Sequence, residues 1–137
     1  HEFENLLSFL NIADLIYNDD FCSKYELLGK IYFYKNDSKN AESNFLKALN
    51  CNENLFFPNY FLGDYYLFSN KNDDCKKYLE KSIQLKDDCS QCYLLLSKYY
   101  ERTGEKEKRK KFRDKGLRLH LNNGKNVLDI IRLDWIY

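Results

Sequence analysis

Histidine and cysteine, the residue types that most often carry chemistry, are sparse in this chain of 137 residues, which has two His and five Cys. His120 lies near the end of a charged segment, where a solvated or helix-capping side chain outweighs a general base. Cys89 and Cys92 form a Cys-x-x-Cys motif at the start of an expected helix, whose N-terminus favours a thiolate. A zinc site needs further ligands at matching spacing, and a redox motif of this type usually follows a strand. We therefore interpret the pair as structural or surface thiols, and we predict no metal and no cofactor.

Other signatures of catalysis are missing from the sequence. The five Gly are isolated from one another, so no glycine-rich phosphate loop is present. The acidic pairs fall in turns, where carboxylates are expected to cap the following helix: Asp19-Asp20, Asp73-Asp74 and Asp87-Asp88. We predict that the chain is not an enzyme.

Two features bear on location. An odd number of cysteines cannot all pair, which favours reduced thiols and an intracellular protein, cytoplasmic or nuclear. No apolar run approaches the roughly 18 residues of a membrane-spanning helix, so we predict no membrane insertion.

A basic segment spans residues 106–118 and contains eight Lys and Arg. Such a segment attracts phosphate groups or acidic partners. Glu107 and Asp114 interrupt it, however, and Phe112 is its only aromatic residue, whereas single-strand binding usually uses several stacking rings. We interpret the segment as a solvated helix face, with binding of nucleic acid or another anionic polymer as the alternative.

These residues must be positioned by a repeated element, since three segments of 34 residues align without gaps: 22–55, 56–89 and 90–123. In the first segment, Leu28 and Tyr32 are spaced as on one helix face, and Ala41, Phe45 and Ala48 form a second stripe. Gly29 lies in the middle of the first helix and is expected to allow close approach of the second. Each segment is therefore predicted to be a helix hairpin whose open apolar face needs stacked neighbours.

The Tyr-x-x-Leu-Gly-x-x-Tyr and Ala-x-x-x-Phe-x-x-Ala patterns resemble the tetratricopeptide repeat family across residues 22–123. The resemblance implies an all-α, right-handed α-solenoid in a single domain, 1–137. Three repeats (22–55, 56–89 and 90–123) would follow a partial repeat helix at 2–17 and precede a capping helix at 125–137. The third segment departs from the pattern, because Arg109, Arg113 and Gly116 stand where the family has Ala, Phe and Ala. The alternatives are that the second helix of this repeat packs loosely, or that its arginines pair with acidic residues.

Both ends of the chain suggest continuation. Leu6, Leu10 and Ala13 resemble the second helix of a preceding repeat, so we expect a fragment of a longer protein from a multi-subunit assembly. Apolar residues between Val127 and Tyr137 exceed what a capping helix needs. The alternatives there are scattered exposure, a homodimer contact or further repeats.

The family binds partners in a concave groove lined by the first helix of each repeat. The resemblance implies that a protein or peptide partner contacts residues of that face here, which in chain order are Lys30, Phe33, Tyr34, Phe57, Tyr60, Asp64, Leu67, Phe68, Lys98 and Arg102. The second repeat supplies apolar side chains beyond those its packing requires, as an interface hot spot would. We expect a partly apolar ligand with an acidic flank that meets Lys98 and Arg102. The alternative is that the solenoid itself buries these side chains.

A chaperone role is the remaining alternative. Co-chaperones of this family hold a C-terminal carboxylate with Lys, Asn and Arg side chains, but the matching positions here hold Glu26, Lys30, Phe61, Gln91 and Leu95. Secretion chaperones with three repeats have a similar size, and Phe57-Pro58 loosely resembles theirs. We therefore predict a protein-binding scaffold module, with a co-chaperone or secretion chaperone as the alternative.

Overall fold

The computed structural model describes residues 4–5, 21–70 and 73–122, and all regular structure in these ranges is helical. Beyond the helical residues 4 and 5, six helices follow one another: α1 (Phe21–Tyr34), α2 (Ser38–Cys51), α3 (Phe56–Ser69), α4 (Cys75–Leu85), α5 (Ser90–Thr103) and α6 (Lys106–Asn122). The rest of the helix predicted at 2–17, and the capping helix predicted at 125–137, lie outside the described residues. The expected surplus of apolar surface at Val127–Tyr137 lies outside them too.

The chain divides into two compact units, His1–Pro58 and Asn59–Tyr137. In the first unit α1 packs against α2, and in the second unit α5 packs against both α4 and α6. Helices that pack on their neighbours along the chain confirm the predicted all-α class of helix hairpins. The repeat boundaries and the single-domain organisation stay predictions.

Short turns separate the helices. The backbone of Asn36 after α1, and of Asn70 after α3, adopts the left-handed conformation, with φ of 60° and 51°. Asparagine tolerates this conformation better than most residues, which suits it to ending a helix. Gly104 ends α5 in the same way, with φ of 79°.

The N-terminal caps differ from those expected. Asp37 caps α2, because its Oδ1 accepts the backbone N–H of Asn40 at 3.1 Å. Asp74 is the N-cap residue of α4, but its backbone is right-handed helical, and its side chain makes no capping hydrogen bond. Cys89, which follows Asp87-Asp88, is the N-cap residue of α5. The capping roles expected for Asp73-Asp74 and Asp87-Asp88 are therefore wrong, and Asp19-Asp20 lies outside the described residues.

The first two hairpins pack as the sequence predicts. The predicted stripe of Ala41, Phe45 and Ala48 is fully buried in the first unit. A Cβ added to Gly29 would lie 2.5 Å from the Phe45 ring, so the absence of a side chain there permits the close approach. Gly63 of α3 faces Leu79 of α4 in the same way, with 2.6 Å between an added Cβ and the leucine.

The α5–α6 hairpin packs through different positions, which accounts for its departure from the repeat pattern. Gly116 of α6 is buried against Leu94 of α5, and an added Cβ would lie 2.9 Å from that leucine. Phe112 lies one turn earlier, with its ring centroid 5.2 Å from that of Tyr100. Arg109 and Arg113 flank this contact and are only half-buried. The third hairpin thus packs through Gly116, which is the last position of the expected stripe, and through Phe112, which lies outside that stripe.

Candidate functional site

An aromatic surface lies on the first unit, formed by Lys30, Phe33, Tyr34 and Phe57 and called here the first-unit patch. Phe33 is 40% exposed and Tyr34 is 66% exposed. The Phe33 ring lies edge-on to Tyr34, with centroids 5.3 Å apart, and edge-on to Phe57 at 6.1 Å. The structure therefore brings together all the first-unit residues that the sequence predicted for the groove.

The position of the first-unit patch follows from helical spacing and from the hairpin core. Lys30, Phe33 and Tyr34 are separated by three and four residues, so they share one face of α1 near its C-terminal end. Phe57 is half-buried, and its ring centroid lies 5.6 Å from that of the core residue Phe45. The patch is thus fixed to the packed interior of the unit.

The cation of the first-unit patch is already engaged. Lys30 Nζ lies 3.0 Å from the carboxylate of Glu26 and 5.1 Å from the centroid of the Phe57 ring. The ion pair offsets the lysine charge, while its ring contact extends the aromatic surface. The first-unit patch consequently favours an apolar group over an acidic one.

A second surface lies on the second unit and is formed by Phe68 and Arg102; it is called here the Phe68–Arg102 surface. Phe68 is 49% exposed, and the Arg102 guanidinium carbon lies 5.9 Å from its ring centroid. Arg102 Nη1 donates hydrogen bonds to the Leu67 carbonyl oxygen and, at 2.9 Å, to Asn70 Oδ1. Both acceptors are neutral, so these bonds orient the guanidinium without forming an ion pair. The surface combines an exposed ring with an oriented positive charge.

Two residues predicted for the groove already make contacts within the second unit: one is buried in the core and the other forms an ion pair. Leu67 is 1% exposed, so its side chain packs in the core, as the burial alternative anticipated, and is not presented to a partner. Lys98 Nζ lies 2.8 Å from Glu101 Oε2, and this ion pair offsets the charge that was expected to meet an acidic ligand. Arg102 therefore provides the better oriented cation of the two.

Tyr60 and Asp64 precede Phe68 at four-residue intervals and lie on the same face of α3. Both are half-buried. Burial raises the pKa of the Asp64 carboxyl, because the charged form loses hydration that no hydrogen bond or ion pair within the described residues replaces. This face of α3 therefore joins aromatic surface to a carboxylate that is costly to keep charged.

An open cavity of about 210 Å³ borders Arg102 in the second unit, and Asp73 and Cys75 also line it. Burial raises the pKa of the Cys75 thiol, which keeps the sulfur protonated and weakly nucleophilic. The cavity thus lacks an activated nucleophile at its cysteine.

The basic segment 106–118 is divided between packing and solvent. Lys108 pairs with Glu105, Arg109 lies 3.4 Å from Glu101, and Lys115 Nζ lies 4.7 Å from the Tyr93 ring centroid. Four other cations are exposed and make no ion pair or ring contact within the described part of the chain: Lys106, Lys110, Lys111 and Arg118. The interpretation of the basic segment as a solvated helix face therefore applies to these four side chains and not to the other cations of the segment.

Cys89 and Cys92 are joined by a disulfide bond. The prediction of reduced thiols is therefore wrong for this pair. The two residues are three positions apart at the start of a helix, and one helical turn brings their sulfurs together. Cys22, Cys51 and Cys75 form no disulfide bond within the described residues. No cluster of metal-ligating side chains, and no helix long and apolar enough to cross a bilayer, occurs among the residues that the structure describes.

Residues 25–54 and 59–89 each match the family model described as tetratricopeptide repeat. The chain contains tetratricopeptide repeats. The first match covers most of the α1–α2 hairpin and the second most of α3 and α4. Comparison with curated proteins gave no match. Tetratricopeptide repeats are in general modules of protein–protein interaction, which indicates that broad role for this chain.

Proposed function

We propose that the chain binds peptide or helical segments of partner proteins, and that the first-unit patch and the Phe68–Arg102 surface are each a site for such a segment. The observation that carries the proposal is the exposure of Phe33, Tyr34 and Phe68 on the first helices of two repeats that match a protein-binding family. Large exposed rings next to an arginine are the residue types that dominate binding energy at protein interfaces. Tyr60, half-buried on the same face as Phe68, extends this surface.

The chemistry of the partner follows from which charges are already offset. Lys30 is paired with Glu26 and Lys98 with Glu101, whereas the bonds of Arg102 end on neutral oxygens. We therefore expect an apolar side chain at each surface, and an acidic residue that meets Arg102.

The wider role is also a proposal. Repeats stacked on one another bury their open faces, so a module of this kind serves as a scaffold within a larger assembly protein. An intracellular location is supported by three cysteines that form no disulfide bond within the described residues, Cys22, Cys51 and Cys75.

Selection from a display library of short random peptides tests the proposal and requires no assumption about which protein is the partner. Enriched peptides should combine aromatic or aliphatic side chains with Asp or Glu. The affinity of each enriched peptide should fall at least about tenfold in one of two variants, Phe33→Ala/Tyr34→Ala for the first-unit patch or Phe68→Ala for the Phe68–Arg102 surface, measured by fluorescence anisotropy.

Leu46 provides the matched control, because it is 38% exposed on α2, the other helix of the first hairpin. Leu46→Ala should change affinity less than twofold. Peptides that bind all variants equally well, or a library that yields nothing above an unrelated protein, would refute the proposal. Circular dichroism of each variant confirms that the helices persist.

A second candidate is favoured by the four outward cations of α6. If the chain binds an anionic polymer, its affinity for single-stranded nucleic acid should fall steeply with salt and be lost in a Lys110→Glu/Lys111→Glu variant. Binding that is weak at physiological salt and unchanged by this variant would remove the second candidate. The peptide selection is independent of this result.

A further inference from the structure

The Cys89–Cys92 disulfide lies at the start of α5, whereas Arg102 of the Phe68–Arg102 surface lies in the last turn of that helix. Cys89 is the N-cap residue, and its Sγ accepts the backbone N–H of Cys92 at 3.2 Å. The bonded cysteines are only three positions apart in the sequence. A loop this short removes little entropy from the unfolded chain compared with a long one, so the bond contributes little as a structural cross-link.

The two sulfurs differ in their access to solvent. Cys92 is 0% exposed, whereas Cys89 is half-buried and follows the exposed residues Asp87 and Asp88. An external thiolate can therefore reach the sulfur of Cys89 but not that of Cys92. Exchange through a mixed disulfide requires such access to one sulfur of the pair.

We propose that Cys89–Cys92 is a reversible thiol–disulfide exchange site that reacts with low-molecular-weight thiols such as glutathione, with Cys89 as the exchanging sulfur. A thiolate of the reductant attacks Sγ of Cys89, which forms a mixed disulfide and breaks the bond to Cys92. The electron pair of the broken bond passes to Sγ of Cys92, which then takes up a proton. A second reductant thiolate attacks the reductant sulfur of the mixed disulfide and releases Cys89. Two thiols are thereby oxidised to one disulfide, and the protein disulfide is reduced to two thiols.

The start of the helix supports this chemistry in both directions. Both leaving sulfurs lie in the first turn of α5, where the positive end of the helix dipole stabilises a thiolate. After reduction, Sγ of Cys89 can still accept the N–H of Cys92, so the cap survives the change of redox state. The site therefore alters sulfur chemistry while α5 stays formed.

Equilibration of the purified chain in glutathione buffers of increasing reduced fraction tests reversibility. After acid quenching and alkylation, mass spectrometry of the peptide that contains both residues should show disulfide and dithiol interconverting, with unchanged helical circular dichroism. A pair that stays bonded in excess reduced glutathione until urea is added would be a structural disulfide. A pair that stays reduced in excess oxidised glutathione would show that no bond forms. Either result overturns the proposal.

Single-cysteine variants test which sulfur exchanges. With oxidised glutathione, Cys89 in a Cys92→Ala variant should form a mixed disulfide at least about tenfold faster than Cys92 in the matched Cys89→Ser variant, where serine keeps an N-capping oxygen. Cys51, an exposed free thiol in the same chain, calibrates the reagent in both variants. Equal rates at Cys89 and Cys92 in folded variants would overturn the assignment of Cys89.

Discussion

The α1–α2 and α5–α6 hairpins achieve the same close contact with the glycine on opposite helices. In α1–α2, Gly29 of the first helix faces Phe45 of the second. In α5–α6, Gly116 belongs to the second helix and faces Leu94 of the first. The comparison shows that a hairpin of this type needs one missing Cβ opposite one large side chain, and that either helix can supply the glycine.

The hairpin whose glycine is on its second helix buries fewer residues of that helix. The second helix of the first hairpin buries a full stripe, Ala41, Phe45 and Ala48, whereas Gly116 is the one fully buried residue of α6. Phe112 rests on Tyr93 and Tyr100 but is only half-buried. Since apolar burial sets local stability, we expect α6 to open more readily than α2.

Deleting the main ring of each second helix should give the largest effect. Phe45→Ala leaves a cavity in a fully buried site and is expected to lower the free energy of unfolding by about 3–5 kcal/mol. Phe112→Ala should cost roughly half as much, because less of its surface is removed from water. Urea denaturation followed by circular dichroism measures both, and equal losses would contradict the comparison.

Replacing each of these glycines by alanine should lower the free energy of unfolding by a smaller amount, although helix propensity alone would favour alanine. Alanine is favoured over glycine in a helix interior by about 1 kcal/mol, yet overpacking a core costs about 1–3 kcal/mol. We expect Gly29→Ala to destabilise more than Gly116→Ala. The added Cβ would lie 2.5 Å from the buried Phe45 ring in the first, and 2.9 Å from Leu94 and 3.1 Å from the Ser90 carbonyl oxygen in the second. The free energy of unfolding from urea titration gives the order.

A rescue experiment sharpens the same prediction. Phe45→Leu should reduce the cost of Gly29→Ala, and the coupling energy from the double-mutant cycle should be favourable. Additive effects would show that Gly29 is required for another reason.

The smallest effects concern two carboxylates, one in each unit, whose pKa values shift in opposite directions. The side-chain hydrogen bond from Asn40, followed by the backbone N–H of the same residue, lowers the pKa of Asp37 below its ordinary 3.8. Its stabilising contribution is present above the unfolded-state pKa and is lost as pH falls through the folded-state value. Burial raises the pKa of Asp64, so its contribution is present at low pH and is lost as pH rises through the folded-state value.

Asp37→Asn should therefore lower stability at neutral pH, and Asp64→Asn should raise it. Both differences should shrink as the pH is lowered. The effect of Asp64→Asn shrinks first, as the pH falls through the raised pKa of Asp64, and that of Asp37→Asn shrinks only at lower pH, as the pH falls through the lowered pKa of Asp37. Chemical denaturation across this pH range measures them, and variants with parallel pH profiles would disprove the opposite signs.

Local spacing made much of the fold predictable. Gly29 and the stripe around Phe45 recur at helical intervals, and the structure confirms both the burial and the close approach. Leu94 of α5, by contrast, is buried against Gly116 of α6. No single-helix pattern reveals this contact, because it depends on which residue of a second helix lies opposite.

In the candidate surfaces too, contacts within one helix could be predicted from the sequence, whereas contacts between distant residues could not. Lys30, Phe33 and Tyr34 share one face of α1, so their juxtaposition could be predicted from spacing alone. The burial of Leu67, and the hydrogen bond from Arg102 to its carbonyl oxygen, join residues far apart in the chain. The disulfide was within reach of the sequence, since Cys-x-x-Cys at a helix start allows it. Whether the two surfaces bind a partner stays a prediction.

The bond from Arg102 to the end of α3 bears on how such a chain can change in evolution. Arrays of repeats grow and shrink when recombination inserts or deletes a whole unit, which leaves the contacts inside each hairpin intact. Arg102 occupies the position that Tyr34 and Phe68 hold in the preceding 34-residue segments. Phe68 has no side-chain donor, and the single hydroxyl of Tyr34 cannot donate to both the Leu67 carbonyl oxygen and Asn70 as the guanidinium does. Exchanging the segments would leave the Leu67 carbonyl without its arginine, so their order along the chain is part of what the sequence encodes.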